Sequence, residues 1–193
     1  MLRIGITGGI GAGKSTAQKI LEEHGLPVID TDQLARDLVQ PGQPALTEIT
    51  EAFGKDVLSP DGSLNRAKVA DLVFGDPEKK QQLESILHPK IRHCWQAKLA
   101  ELESSDTKAA AVVIPLLFET DAQSAFGKIL CLACPPAQQH TRLKSRGWSD
   151  EHTHARLQTQ WPIQKKMDAS DHVIWNSGTL ELLKSQLLRV VSA

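Results

Sequence analysis

Short apolar-rich runs alternate with amphipathic stretches along most of the chain. "LRIGIT", "PVID", "AAAVVIPLLFE", "KILCLACP" and "DHVIWN" are such runs, each bounded by turn residues or polar clusters. The longer ones are continuously apolar rather than alternating. Strands of a parallel sheet have this character, because helices cover both faces. Between the runs the period changes to that of helices. Lys14 to about His24 reads as a helix with Ile20 and Leu21 on its apolar side, stopped by Gly25 and Pro27. "TDQLARDLVQ" opens a second helix, with Thr31 or Asp32 near its N-cap, and "PGQP" ends it. "PAQQHTRLKSR" is a third. "SDEHTHARLQTQ" starts with a Ser cap and two acids, which suit the positive end of a helix. "GTLELLKSQLLRVV" is a closing amphipathic helix.

From Pro44 to about Asp106 the pattern is helical without a strand. Asp76-Pro77-Glu78 marks a helix start: a cap, a proline at the first helical position and an acid in the first turn. His88-Pro89 is expected to kink the helix that follows, or to divide it. Alternating strands and helices predict an α/β domain, a parallel sheet with helices on both faces. The helical stretch between the second and third strands is too long for a plain crossover and reads as an inserted lobe. Ligands of open parallel sheets bind at the carboxyl ends of the strands. Gly8, Asp30, Asp32 and Glu119 all follow such ends and are expected to converge on one cleft.

Composition narrows the function classes. The 193 residues suit one domain with a sizeable core, 40% hydrophobic and 23% charged. A formal net charge of -1 gives no general basic footprint for nucleic acid or anionic lipid, so neither is an expected partner. No apolar run approaches the roughly 20 residues that span a bilayer. The apolar stretch of "MLRIGITGG" is too short for a secretory signal, so a cytoplasmic location is expected. Three cysteines make no disulfide framework. The C-x-x-C of Cys131 and Cys134 lies inside a predicted buried strand and reads as structural.

The chemistry begins at "GGIGAGKS", Gly8 to Ser15, which fits G-x-x-x-x-G-K-[ST] between a strand and a helix. Glycines at 8, 9, 11 and 13 let backbone N–H groups turn inward on phosphate, and the next helix adds its positive end. Lys14 supplies charge to the β/γ oxygens of a nucleotide, and Ser15 a hydroxyl for Mg²⁺. A guanine-reading N-K-x-D is absent from the sequence. Asp30 and Asp32 bear on the acceptor. A phosphate acceptor is already ionised, whereas an alcohol must lose a proton, and a carboxylate can take it. Each Asp equally fits a helix cap. Arg142 and Arg146, four apart on one predicted helix face before a glycine, could form a hinged lid that closes on phosphates, with Arg156 continuing the stripe; a solvated basic face is the plain alternative. His88 has the default reading of a core or surface histidine. His152 and His154 lack the partners of a metal site. A kinase of another small alcohol and a regulatory NTPase that hydrolyses ATP slowly are the rival readings.

"GITGGIGAGKST", "VIDTDQLAR", "FG" before "DGSLNR", "LESILHP", "IPLLFE" and "NSG" occur in this order. Together they resemble the dephospho-coenzyme A kinase family, from Ile4 to about Gly178. The resemblance implies a P-loop kinase fold: a five-stranded parallel core, an inserted helical substrate lobe and a helical lid. It places the core at about residues 1–36 and 108–193, the lobe at about 37–107 and the lid at about 142–160. It implies ATP as co-substrate, with Mg²⁺, and dephospho-CoA as acceptor through its ribose 3′-hydroxyl. It implies nucleotide binding by Gly9, Gly11, Ala12, Gly13, Lys14, Ser15 and Thr16, with Arg142 and Arg146 in the lid region and Asn176 in the loop over the adenine. Asp32 matches the proposed base, while Arg36 and His88 fall in segments lining the acceptor site. Glu119 would end the third strand near the metal. Trp175, where a small or polar residue is common, and Trp148 in the lid are departures.

Overall fold

Strands β1 (Leu2–Gly8), β2 (Val28–Asp30), β3 (Ala109–Val113), β4 (Lys128–Ala133) and β5 (His172–Trp175) form one sheet in the order β2-β3-β1-β4-β5. The computed structural model describes residues 1–191. Pairing is parallel, with Leu2 opposite Ala109 and Ile6 opposite Val113 on one side of β1, and Ile4 opposite Lys128 and Gly8 opposite Leu132 on the other. β1 is central, so its apolar run is covered on both faces. Ile4 and Ile6 pack with Ala17, Ile20 and Leu21 of α1 (Lys14–Glu23) and with Leu183 and Leu187 of α9 (Leu180–Val191). On the opposite face Gly5 lets Leu117 and Phe126 approach so closely that a Cβ would collide with them.

β3 is shorter than its apolar run. It stops at Val113, and Pro115 to Glu119 are in turns. Pro115 has no N–H for a ladder. Its carbonyl instead accepts from the Thr7 hydroxyl at 3.2 Å and the Lys166 ammonium at 2.7 Å.

The chain forms two compact units: Met1–Ile29 with the chain from Glu101 onward, and Asp30–Ala100. The second contains α2 (Thr31–Asp37), α3 (Pro44–Phe53), α4 (Arg66–Val73) and most of α5 (Pro77–Ser104). Its own core is Val39, Ala45, Ile49, Val57 and Val69, with Leu83, Ile86 and Leu87 of α5 against it. α2 therefore goes with the helical segment rather than with the sheet. α5 is one continuous helix, so of the two outcomes expected at His88-Pro89, a kink or a division, the division does not occur. Apolar residues on both sides of Pro89 are packed, Ile86 and Leu87 before it and the buried Trp95 and Leu99 after it. Burial of both turns outweighs the hydrogen bond that the proline removes.

In the first unit, α6 (Pro136–Lys144) and α7 (Asp150–Gln158) flank Gly147, and the short α8 (Ile163–Asp168) follows. The periodicity gives no sign of α8. Ser149 caps α7 as expected, accepting from the His152 N–H at 3.1 Å.

Candidate functional site

The glycine loop leaves β1 and enters α1 as its sequence requires. Gly8, Gly11 and Gly13 have φ of 138°, 72° and 103°. At Gly8 a Cβ would strike the Leu132 carbonyl, and at Gly13 the Asn176 amide. Gly13 is the N-cap of α1, and among the described residues no side chain caps it. The positive end of α1 is thus set beside the loop, as an anion site needs. The Lys14 ammonium donates to the carbonyls of Gly8 at 3.0 Å and Gly9 at 2.9 Å, which draws it back over the loop. Ser15 and Thr16 are exposed in the first turn of α1. A hydroxyl oxygen is the hard donor that Mg²⁺ takes, and one protein oxygen beside phosphate oxygens and waters is an ordinary set for that ion. Ser15 therefore fits the role expected of it.

Two later segments brace this loop. Asn176, buried at the end of β5, donates from Nδ2 to the Ala12 carbonyl at 2.8 Å. Gln139 on α6 donates to the Ile10 carbonyl at 2.7 Å. Arg142 donates to the Gly11 carbonyl at 3.5 Å and the Asn176 carbonyl at 3.0 Å. Gly9, Gly11, Ala12, Gly13, Lys14, Ser15, Thr16, Arg142 and Asn176 are thereby brought together. The expected pairing of Arg142 with Arg146 on one helix face needs correction. α6 ends at Lys144, so Arg146 lies beyond it, exposed, in the turn before Gly147. Gly147 at φ 80° terminates the helix early. Arg142 joins the loop to Asn176. Arg156 is on α7.

Glu119 and Lys166 form a buried pair at 2.8 Å, their side chains 14% and 1% exposed. The same Glu119 oxygen accepts the Trp161 N–H at 2.8 Å. The Trp161 ring stacks on Phe118 and lies 3.4 Å from the Lys165 ammonium. Sequence reasoning missed Lys166 and Trp161, because a lysine in a polar stretch carries no mark of burial. Trp148 stacks on His152 with ring centroids 4.3 Å apart, a packing role. Trp175 is 43% exposed, and its backbone N–H and carbonyl both bond the Gln186 side chain.

The second unit carries the remaining expected residues. Asp30, not Thr31 or Asp32, is the N-cap of α2: its carboxylate accepts from the N–H groups of Asp32 at 2.8 Å and Gln33 at 3.3 Å. Asp32 is exposed in the first turn of α2, and Arg36, four residues on, shares its face. The Arg36 Nε donates to Gln33 at 3.1 Å. His88 is half-buried on α5. Desolvation holds its pKa below the usual histidine range, with Arg92 and Lys80 adding to the effect and Glu84 opposing it. Cys131 is buried and its thiol is pushed up to about 11 by desolvation, against Lys166 and Lys14. That is the behaviour of a structural cysteine, not of a redox nucleophile.

A family model described as dephospho-CoA kinase matches residues 2–181. A dephospho-CoA kinase from Carboxydothermus hydrogenoformans is 41% identical over 189 residues, 97% of this chain and 92% of the relative. Among solved structures, a Thermus thermophilus protein is similar with a TM-score of 0.85 at 35% identity, covering 99% of this chain and 96% of its own. A dephospho-CoA kinase from Campylobacter jejuni follows with a TM-score of 0.73 at 28% identity, covering 98% and 95%.

Proposed function

The chain belongs to the dephospho-CoA kinase family, and from that premise we propose how its residues move the γ-phosphate of ATP to the ribose 3′-hydroxyl of dephospho-CoA, giving CoA and ADP. The Gly8–Ser15 loop holds the β- and γ-phosphates through its N–H groups and the end of α1. Lys14 leaves the Gly8 and Gly9 carbonyls for the phosphate oxygens. Ser15 would hold Mg²⁺, which when bound neutralises charge between the phosphates. Asp32 takes the hydroxyl proton as the oxygen attacks. Arg36 binds the acceptor. His88, neutral at physiological pH because of its lowered pKa, serves the acceptor as a hydrogen-bonding group rather than a cation. Arg146, exposed beside the Gly147 hinge, comes onto the transferring phosphate when α7 moves.

The division of labour between the two aspartates carries this reading. Asp30 occupies the cap of α2, which removes the simplest structural explanation for Asp32. The free cysteines and the lack, among the described residues, of a helix long and apolar enough to cross a membrane support a cytoplasmic site of action.

The test is ADP release with ATP and Mg²⁺ across a panel of acceptors. Dephospho-CoA should raise it strongly, and adenosine monophosphate or shikimate little. Equal stimulation by adenosine monophosphate would overturn the alcohol-acceptor assignment. Release indifferent to every acceptor would favour a regulatory NTPase.

A further inference from the structure

A cavity of about 370 Å³ in the first unit is lined by Ala137, Gln138, Thr141, Arg142, Ser177 and Gly178. It adjoins the phosphate loop. Arg142 reaches from its wall to the Gly11 and Asn176 carbonyls, and Asn176 reaches the Ala12 carbonyl. A nucleotide with its phosphates in the loop has a base to place, and this recess is bonded to the loop.

Gln138 is the unusual member of the lining. Its Nε2 donates to the Ser177 carbonyl at 3.2 Å. A carbonyl only accepts, so the amide nitrogen must face it, and the orientation of the carboxamide follows. The other end, Oε1, is shielded from solvent and has no hydrogen-bond partner among the described residues. Buried amide oxygens almost always have a donor. The described residues supply none here, and a ligand in the cavity can once the oxygen turns toward it.

We propose that Gln138 selects the purine: its Oε1 turns into the cavity and accepts from the 6-amino group of adenine, while its nitrogen stays on Ser177. A carboxamide pairs with adenine through that amino group and a neighbouring ring nitrogen, and the second Nε2 proton remains for the ring nitrogen. Guanine presents a carbonyl oxygen at the 6-position, which would set two acceptors face to face. An untethered glutamine could reverse its amide to suit guanine. This one cannot without losing Ser177. The cavity therefore takes ATP in preference to GTP. The inference rests on the nucleotide loop of the proposed function, and not on its acceptor.

Equilibrium binding without acceptor tests it. Dissociation constants are measured for ATP, GTP and purine riboside triphosphate, which is ATP without the 6-amino group, on the unmodified protein and on Gln138→Met. The unmodified protein should bind ATP about 3- to 10-fold tighter than the amine-free analogue, the scale of one hydrogen bond, and GTP more weakly than ATP. Gln138→Met should bind ATP and the analogue alike, with discrimination against GTP reduced. Equal binding of ATP and the analogue by the unmodified protein, a comparison that needs no variant to fold, overturns the proposal. So does an amino preference that persists in Gln138→Met. Both results leave the dephospho-CoA reading standing, since the acceptor panel decides that separately. A protein that binds no nucleoside triphosphate would overturn the two together.

Discussion

Asp30 and Asp32 are chemically identical and two positions apart, yet they are expected to fail differently. Asp30→Ala removes the cap from α2 and should cost about 0.5–2 kcal/mol of stability, read by urea unfolding. Asp32→Asn should lower single-turnover phosphoryl transfer by about 10²- to 10⁴-fold, the usual loss for a general base. ATP affinity should be kept, since the loop and Lys14 remain. A variant that turns over normally would mean the base lies elsewhere; one that loses ATP binding in step with rate would make Asp32 an organiser of the nucleotide. Lys14→Ala should lose about 10²-fold or more in turnover, as for other preorganised electrostatic contacts. Most of these residues were legible in the sequence, because a glycine loop is a local device whose geometry and chemistry sit within eight residues. Which of the two caps α2 was not. Both aspartates satisfy the cap pattern, and only the backbone at Asp30, extended at φ -98° and ψ 114°, decides which carboxylate turns back on the helix.

At the scale of elements, the periodicity found every strand and nearly every helix, and erred at the end of α6, at Pro89 and at α8. α6 stops at Lys144, which moves Arg146 off the helix face that the spacing suggested. α5 runs through Pro89 because the turns on either side are packed. α8 is short, and its anchor is the ion pair between Lys166 and Glu119, 47 residues earlier in the chain. That pair predicts a cycle. Lys166→Met leaves a buried carboxylate uncompensated and should cost about 3–5 kcal/mol. Lys166→Met with Glu119→Gln should recover much of the loss in the same denaturation assay. Additive losses in the double variant would show that the two side chains do not act as a pair.

For the whole molecule, the titrating groups shape stability against pH. His88 binds its proton less readily in the folded state than in the unfolded one. Below about pH 6.5 the unfolded chain takes up that proton first, so stability falls on acidification. The carboxylates of Asp61, Asp76, Glu103 and Glu181 are held low by hydrogen bonds, and Glu103 also by Arg3. Their contribution is present above the ordinary carboxylate range and is lost as the pH falls through it. Cys131 has the opposite sense. Its raised thiol pKa favours the fold below pH 9, and that advantage is lost as the pH rises from 9.0 toward about 11. Urea midpoints should therefore be highest near neutrality. His88→Gln should flatten the acid limb between pH 7 and 5, and Cys131→Ala the alkaline limb; a limb unchanged in its variant would refute that assignment.

The sequence by itself determined the parallel sheet, the helical segment between its second and third strands, and the phosphate loop. Each is specified by short-range pattern: period, cap and turn chemistry, and glycines that permit left-handed backbone. The tertiary structure alone decided that Asn176, Gln139 and Arg142 brace that loop across 164, 129 and 131 residues. It alone left one oxygen of Gln138 without a donor among the described residues. Hydrogen bonds between residues so far apart depend on strand order and helix docking. Those are set by burial summed over the whole core, and no local window of sequence contains that sum.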